Sequence, residues 1–448
     1  MRVLLVCHRY PPLGVAGVER LTQQAAEELA RRGHEVTVLT RRATEAPSFS
    51  LERRTEAGVQ IVSVAGGGYD FGRFPVHEPA LERLFERMLA ELAPDVILAT
   101  HLMHHSPGYV AVAHRWRVPF VLELHDFFML CPRAHLQRKS GDLCAGPEGG
   151  AACAVHCFGD QRQAQLRWSL RSGSFAEAVR TADAVLTPSR YVAERFAERR
   201  DGGSPIEVVP NGIADFGKAV REERDPAAPL RLASIGITVE HKGFRVAAEA
   251  LRLAGIPARY TIFGIQMEPE ARHLRETAAQ APNLELELFG EFSPAQLPTL
   301  LAGIDAVVVP SIVPETFSIV AREAFACGIP VIASDLGALP EAIRPDDNGW
   351  LFPPGDAIGL ATLLQELHAD PTRLRRAAAG IRPDDVTSLA ARTDQVEALL
   401  RRAISDLAAG GAKRHEPELG LMREALIAAE SQRGGAPARP SRRRAPFG

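Results

Sequence analysis

No stretch of the chain reaches the roughly 18 consecutive apolar residues that a membrane-spanning helix needs. The opening MRVLLVCHRYPP has too short an apolar run, and no small-residue cleavage site, for a secretory leader. Charge of one sign is also lacking. The 52 Lys and Arg nearly balance the 55 Asp and Glu, so a net charge of -3 supplies no global field for nucleic acid or membrane. The first strand-like run is not followed by Gly-x-Gly-x-x-Gly, which argues against a dinucleotide oxidoreductase. Cysteine is sparse and uneven. Cys7 and Cys327 sit in apolar runs, whereas Cys131, Cys144, Cys153 and Cys157 crowd into one Gly/Pro-rich stretch. The expectation is a cytoplasmic protein with reduced thiols and no nucleic-acid partner.

What is present is ordinary globular material, 46% hydrophobic and 24% charged over 448 residues, enough for two or three domains. Short Val/Ile/Leu runs alternate with helical patterns. Strands are expected at 2–7, 35–40, 59–64, 95–100, 119–124, 183–189 and 206–210, and again at 230–236, 258–264, 283–290, 305–311, 330–334 and 349–352. Continuous apolar strands separated by helices mean parallel sheets covered on both faces. The spacing therefore predicts an α/β protein with an N-terminal Rossmann-like domain over 1–212, a linker over 213–229, and a second Rossmann-like domain over 230–385. A C-terminal helix follows over 386–408, then a tail over 409–448 with a basic disordered end. Two such sheets facing each other would form a deep cleft, a preferred ligand site. The amphipathic stretch 79–92 is a candidate for peripheral contact with a membrane, or a helix that covers a sheet.

The most informative stretch is PETFSIVAREAFACGIPVIAS, residues 314–334. A helix should begin near Ser318, a good N-cap. Its first N–H groups, around Phe317, Ser318 and Ile319, lack intrahelical partners and favour an anion. Glu315 and Glu323 flank that point. Like charges repel, so the carboxylates do not bind a phosphate, but each can accept a pair of sugar hydroxyls. A diphosphate with a sugar at each end satisfies the loop, the helix start and both glutamates.

That stretch resembles the Glu-x7-Glu motif of retaining GT-B glycosyltransferases of the family 4 type, which includes bacterial mannosyltransferases and sucrose synthase-like enzymes. YPPLGVAGVERLTQQAAEELARRGHEVTVLT resembles that family's glycine loop and first helix. ELHDF resembles its His-Asp loop, HKGFRVAAEAL its lysine motif, and NGWLFPPGD its closing segment. The ordered match spans about residues 1–400.

The resemblance implies a sugar transfer from a nucleotide-sugar donor with retention of anomeric configuration. The acceptor would be a hydroxyl of a saccharide, a lipid-linked saccharide or a small molecule, in polysaccharide or glycoconjugate synthesis. It implies ribose binding by Glu323, donor-sugar binding by Glu315, and diphosphate binding by Lys242 with the N–H groups of Phe317, Ser318 and Ile319. Gly17 and Gly236 would allow close backbone approach to the donor, and His125 would face the donor sugar. A front-face substitution follows, with no metal cofactor required in catalysis. The protein would work in the cytoplasm, or peripherally at the inner face of the membrane. Where the family carries an Arg as well as a Lys on the diphosphate, this chain has Ile237 in the segment GITVEHKG. His241 or Arg245 is then the candidate for the missing charge. An epimerase of the same architecture, or a non-catalytic nucleotide-sugar-binding homologue, are the alternatives.

The cysteine-rich insertion at 130–158 has thiol separations that allow a tetrahedral structural Zn²⁺, though not as a standard Cys-x2-Cys pair, with unlinked thiols, disulfides or an iron–sulfur cluster as the alternatives. The stretch is too polar to pack alone, which favours a staple.

Overall fold

The computed structural model describes residues 1–14, 17–43, 49–66, 78–159, 162–200, 203, 205–219, 225 and 228–410. Met1–Gly411 forms one compact unit. The basic end of the tail and part of the glycine loop (Val15, Ala16) lie outside the described residues.

Eight strands make the first sheet: β1 (Arg2–Val6), β2 (Glu35–Ala43), β3 (Leu51–Glu56), β4 (Val59–Gly66), β5 (Val96–Ala99), β6 (Phe120–Glu123), β7 (Ala184–Thr187) and β8 (Ile206–Val208). Their order is β3-β4-β2-β1-β5-β6-β7-β8, parallel except for β3. Six more make the second: β9 (Leu230–Ile235), β10 (Ala258–Phe263), β11 (Leu284–Gly290), β12 (Ala306–Val309), β13 (Val331–Ser334) and β14 (Gly349–Phe352), in the order β11-β10-β9-β12-β13-β14. The α/β, GT-B-type architecture of two Rossmann-like sheets is therefore as the sequence implies. In each sheet the winding reverses at one point, between β1 and β5 and between β9 and β12. Loops leaving neighbouring strands diverge there and open a crevice at the strand ends.

Seven helices matter below: α1 (Gly17–Arg31), α2 (Pro79–Leu92), α3 (Arg162–Thr181), α4 (Arg190–Ala197), α5 (Phe244–Ala254), α6 (Ile319–Ala326) and α7 (Leu389–Ala408). The apolar stripe of α2 (Leu81, Leu84, Phe85, Met88, Leu89) is buried in the core of the first half. The helix covers the sheet, and that stripe is not available to a membrane. No helix among the described residues is long and apolar enough to cross a membrane.

β3 is the strand that the apolar pattern does not predict. LERRTE is charged and mostly exposed, as suits an antiparallel edge strand. The turn Ala57-Gly58, both at positive φ, is the local signal that joins it to β4.

The chain crosses between the halves twice. Ile213 N–H donates to Thr387 C=O at 2.9 Å, and Leu389 N–H to Ile213 C=O at 3.2 Å, so the crossings run side by side. A Cβ on Gly212 would lie 2.7 Å from Leu389 Cα. After the second crossing α7 returns to the first half. Val396, Leu399 and Leu400 are buried there against Val3, Leu5 and Leu98. Each such side chain contributes about 1.5–3 kcal/mol relative to exposure.

Candidate active site

At the β9/β12 crevice, Gly236 follows β9 and the chain leads to the one-turn helix Glu240–Lys242. Gly243 follows at φ 69°, and a Cβ there would be 1.9 Å from Pro310 C=O. Only glycine lets this turn press onto the end of β12. The result is that Lys242 Nζ donates to Glu315 Oε1 at 2.8 Å, and Ser311 Oγ donates to the same oxygen at 2.6 Å. Burial works against the Glu315 charge, yet Lys242 above all, with Ser311 and His241, holds its pKa below the ordinary value. The Glu315 backbone is fixed too, since Ala338 N–H donates to its carbonyl at 2.8 Å.

Helix α6 starts at the expected place. Ser318 is its N-cap, with Oγ accepting from Ala321 N–H at 3.4 Å. Ser318 sits at φ 60°, an uncommon conformation for a residue with a Cβ and one that clusters at functional sites. Phe317 is buried beneath it, and Arg322 lies over the Phe317 ring at 4.9 Å. One turn on, Glu323 is 6% exposed. Burial pushes its pKa up to about 7 against a small opposing pull from Arg20. Arg20 Nη1 is 3.9 Å away and comes from α1, across the cleft.

Several contacts close the cleft. Thr316 Oγ1 donates to His125 C=O at 2.7 Å, and Thr316 C=O accepts from Ser189 Oγ at 2.7 Å. Glu341 accepts from the backbone N–H groups of Arg190 (3.1 Å) and Tyr191 (2.7 Å), which begin α4. Gly17, exposed at the first position of α1, lies so near α6 that a Cβ would be 3.3 Å from Ile319 Cδ1. The starts of two helices from different halves thus meet.

His125 is placed otherwise than expected. Its ring is sealed on the sheet face that α7 covers, with Nε2 3.3 Å from Glu123 Oε2, and Glu123 in turn pairs with Arg392 of α7. Burial opposes the Glu123 charge, but Arg392 and His125 bring its pKa to about 2. Residues 123 and 125 alternate onto the same face of the strand end, and α7 supplies the charge that draws the ring inward. What His125 presents to the second half is its backbone carbonyl.

Sequence reasoning missed a polar network at the β1/β5 crevice. His8 Nε2 lies 3.2 Å from Glu19 Oε1, and the His8 and His101 rings are 4.3 Å apart. His101 Nδ1 accepts from Met103 N–H at 3.0 Å, so its Nε2 carries the proton that faces Asp126 Oδ2 at 3.0 Å. The available signal was positional: polar residues directly follow β1, β5 and β6, at the strand ends where such folds bind ligands.

In the insertion, Cys131, Cys144, Cys153 and Cys157 all line one small cavity, and all are free thiols. Burial pushes the Cys153 thiol up to about 12 and raises Cys131 as well. Among the described residues no group of three His, Cys, Asp or Glu side chains is arranged to hold a metal ion. Of the two candidates for the charge missing at Ile237, Arg245 is committed elsewhere, with Nε 2.5 Å from Glu270 Oε2. His241 remains beside Lys242.

Two parallel sheets with facing crevices and a return helix are the GT-B architecture. Solved structures agree. Sucrose-phosphate synthase from Thermosynechococcus elongatus superposes with a TM-score of 0.66 at 19% identity, covering 90% of this chain and 99% of that one. HepE of Anabaena, in complex with UDP and glucose, gives 0.60 at 18% identity, covering 90% and 99%. Within that class, the model "Glycosyltransferase Family 4" matches residues 15–215 and "Glycosyl transferases group 1" matches 218–382. Relatives along most of the chain include a glycogen synthase of Mycobacterium tuberculosis, 26% identical over 95% of this chain and 99% of its own length. A D-inositol 3-phosphate glycosyltransferase of Rhodococcus erythropolis is 29% identical, over 81% of each. Along both halves the chain is therefore similar to glycosyltransferases of the group 1 and family 4 types.

Proposed function

We propose that the protein transfers a sugar from a nucleotide-sugar donor to a hydroxyl of a saccharide or lipid-linked acceptor, retaining anomeric configuration. The observation that carries this is the alignment of three features along one loop and helix: the Lys242–Glu315–Ser311 cluster, the Ser318-capped helix start, and the buried Glu323 one turn beyond. The helix start takes the diphosphate. Glu323 accepts ribose hydroxyls, and Glu315 accepts hydroxyls of the donor sugar. Lys242, paired with Glu315 in this structure, turns to the phosphate as the bond to the sugar breaks and negative charge grows on the leaving group. The departing phosphate oxygen takes the acceptor hydroxyl's proton on the same face, which gives retention without a protein nucleophile and without a divalent metal. His125 acts as a positioning residue through its carbonyl and Thr316. The strand-end network of His8, His101 and Asp126 faces the acceptor. A cytoplasmic site of action fits a nucleotide-sugar substrate.

The test is calorimetry with UDP-, GDP-, ADP- and TDP-sugars on the wild type and Glu323→Ala, followed by NMR of the anomeric product. One nucleotide class binds the wild type and is lost in the variant. Binding of none, or an inverted product, overturns the reading.

A second reading concerns the insertion. Four cysteines line one cavity and are donor types of a structural zinc site, though among the described residues no three of them are arranged to hold an ion. The loop would have to close around the ion. About one zinc per chain in protein purified without chelator supports it, and less than about a tenth of an equivalent ends it.

A further inference from the structure

The insertion reaches the second half of the molecule through His135. This residue lies between Cys131 and Cys144, and its ring stacks on that of His241, with centroids 4.5 Å apart and planes 27° apart. His241 is the neighbour of Lys242 in the turn after β9, and its carbonyl is pinned by Ile312 N–H at 3.0 Å. The charged and titratable groups around His241 are His135, Lys242 and Glu315. Around His135 they are Asp126, Lys242, Arg133 and Glu315. Among the described residues neither imidazole uses a ring nitrogen in a hydrogen bond. Burial, chiefly, keeps both rings below their ordinary pKa. Each ring therefore has an N–H with no acceptor, held half-buried beside an ion pair. With no protein acceptor, these N–H groups are available to a ligand's oxygens.

The neighbouring cations leave part of such a ligand's charge unmet, since Lys242 alone can turn to an anion. Lys242 is shared with Glu315, Arg245 is held by Glu270, and Ile237, 39% exposed, offers no charge. An anionic ligand seated at the start of α6 thus lacks one set of donors on its Lys242 side, and the two rings stand there. Phosphate oxygens accept from imidazole N–H groups, more strongly once the ring is charged.

We propose that His135 and His241 form a two-histidine clamp on the donor diphosphate, so that the cysteine-bearing insertion completes the donor site from the opposite half. This rests on the nucleotide-sugar reading above. One ring comes from each half, so the clamp exists only with the cleft closed. Diphosphate binding and domain closure are therefore one event.

The experiment is calorimetry of the full chain with UDP, ADP and GDP, for the wild type, His135→Ala, His241→Ala and His135→Phe, with thermal melts of each. The nucleoside diphosphate that binds the wild type binds His135→Ala and His241→Ala about tenfold more weakly or worse, the scale of one lost charge-assisted hydrogen bond. His135→Phe keeps a stacking ring without nitrogens and is as weak as His135→Ala. Unchanged affinity in His135→Ala and His241→Ala overturns the clamp. Full affinity in His135→Phe overturns it too, since it reduces His135 to a packing contact. If His135→Ala loses its cooperative melt, the other two variants carry the same comparison. Failure of these three diphosphates and of TDP to bind the wild type overturns the nucleotide-sugar reading itself, a result separate from the others.

Discussion

The two halves put their chemistry at equivalent places, the crevices at β1/β5 and β9/β12, yet they handle charge in opposite ways. The second half holds an ion pair, Lys242 with Glu315, whose lysine is 33% exposed at the side chain and ready to turn toward an anion. The first half holds a face of buried imidazoles. Burial, followed by repulsion from neighbouring cationic groups, drives His104 to about 2 and His105 to about 3, and lowers His8 as well. One wall of the cleft presents a cation in advance, and the other presents neutral imidazoles beside the carboxylates of Glu19 and Asp126. A donor carrying a diphosphate belongs to the first kind of wall, and an acceptor offering hydroxyls to the second.

The largest effect should come from discharging the charged wall. Lys242→Ala leaves Glu315 buried without its cation and removes the charge facing the leaving group. Turnover at saturating donor should fall by roughly 100-fold or more. His101→Asn, on the neutral wall, should cost only about tenfold, the scale of one hydrogen bond. Equal losses in steady-state assays would break the contrast.

Glu323 sharpens it in a second way, because it is a carboxylate kept close to neutrality. A raised pKa means that the folded chain keeps a proton which the unfolded chain releases between about pH 4.3 and pH 7. Its contribution to stability is thus greatest at low pH and falls as pH rises through that window. Glu323→Gln removes the penalty. Relative to wild type, the variant should be stabilised by about 2 kcal/mol more at pH 8 than at pH 5 in denaturant titrations. A difference independent of pH would show that Glu323 titrates alike in the folded and the unfolded chain. The smallest effect is expected where the walls touch. Thr316→Val removes the hydroxyl that donates to His125 C=O and should raise the donor KM about fivefold, with little change in Tm.

Much of the charged wall was legible beforehand. The Ser318 cap, the helix behind it and the flanking glutamates are local features, set by residues within one turn of each other. The apolar runs give the parallel strands for the same reason. What stayed hidden depends on residues distant in the chain. His125 looked like a cleft residue until Arg392, from the far end, drew Glu123 and the imidazole inward. The His135–His241 stack joins an insertion in one half to a turn in the other, and no pattern within either stretch foretells it. β3 escaped because its burial is slight, so no apolar alternation marks it. The Glu19–His8–His101–Asp126 network is assembled from three strand ends and a helix start, each polar residue unremarked in its own segment.

Because α7 comes back to cover the sheet of the first half, the order of synthesis and the order of completion are reversed. On the ribosome, β1 through β8 emerge first, but the face bearing Val3, Leu5 and Leu98 is covered only in part, by Ala26 and Leu29 of α1, until residues 389–408 arrive. The second half, by contrast, has all its strands by Phe352. The half that is made first is therefore finished last. A nascent chain stalled before Leu389 would carry a partly uncovered apolar sheet face and a buried glutamate without its arginine, which is the state a chaperone would have to shield.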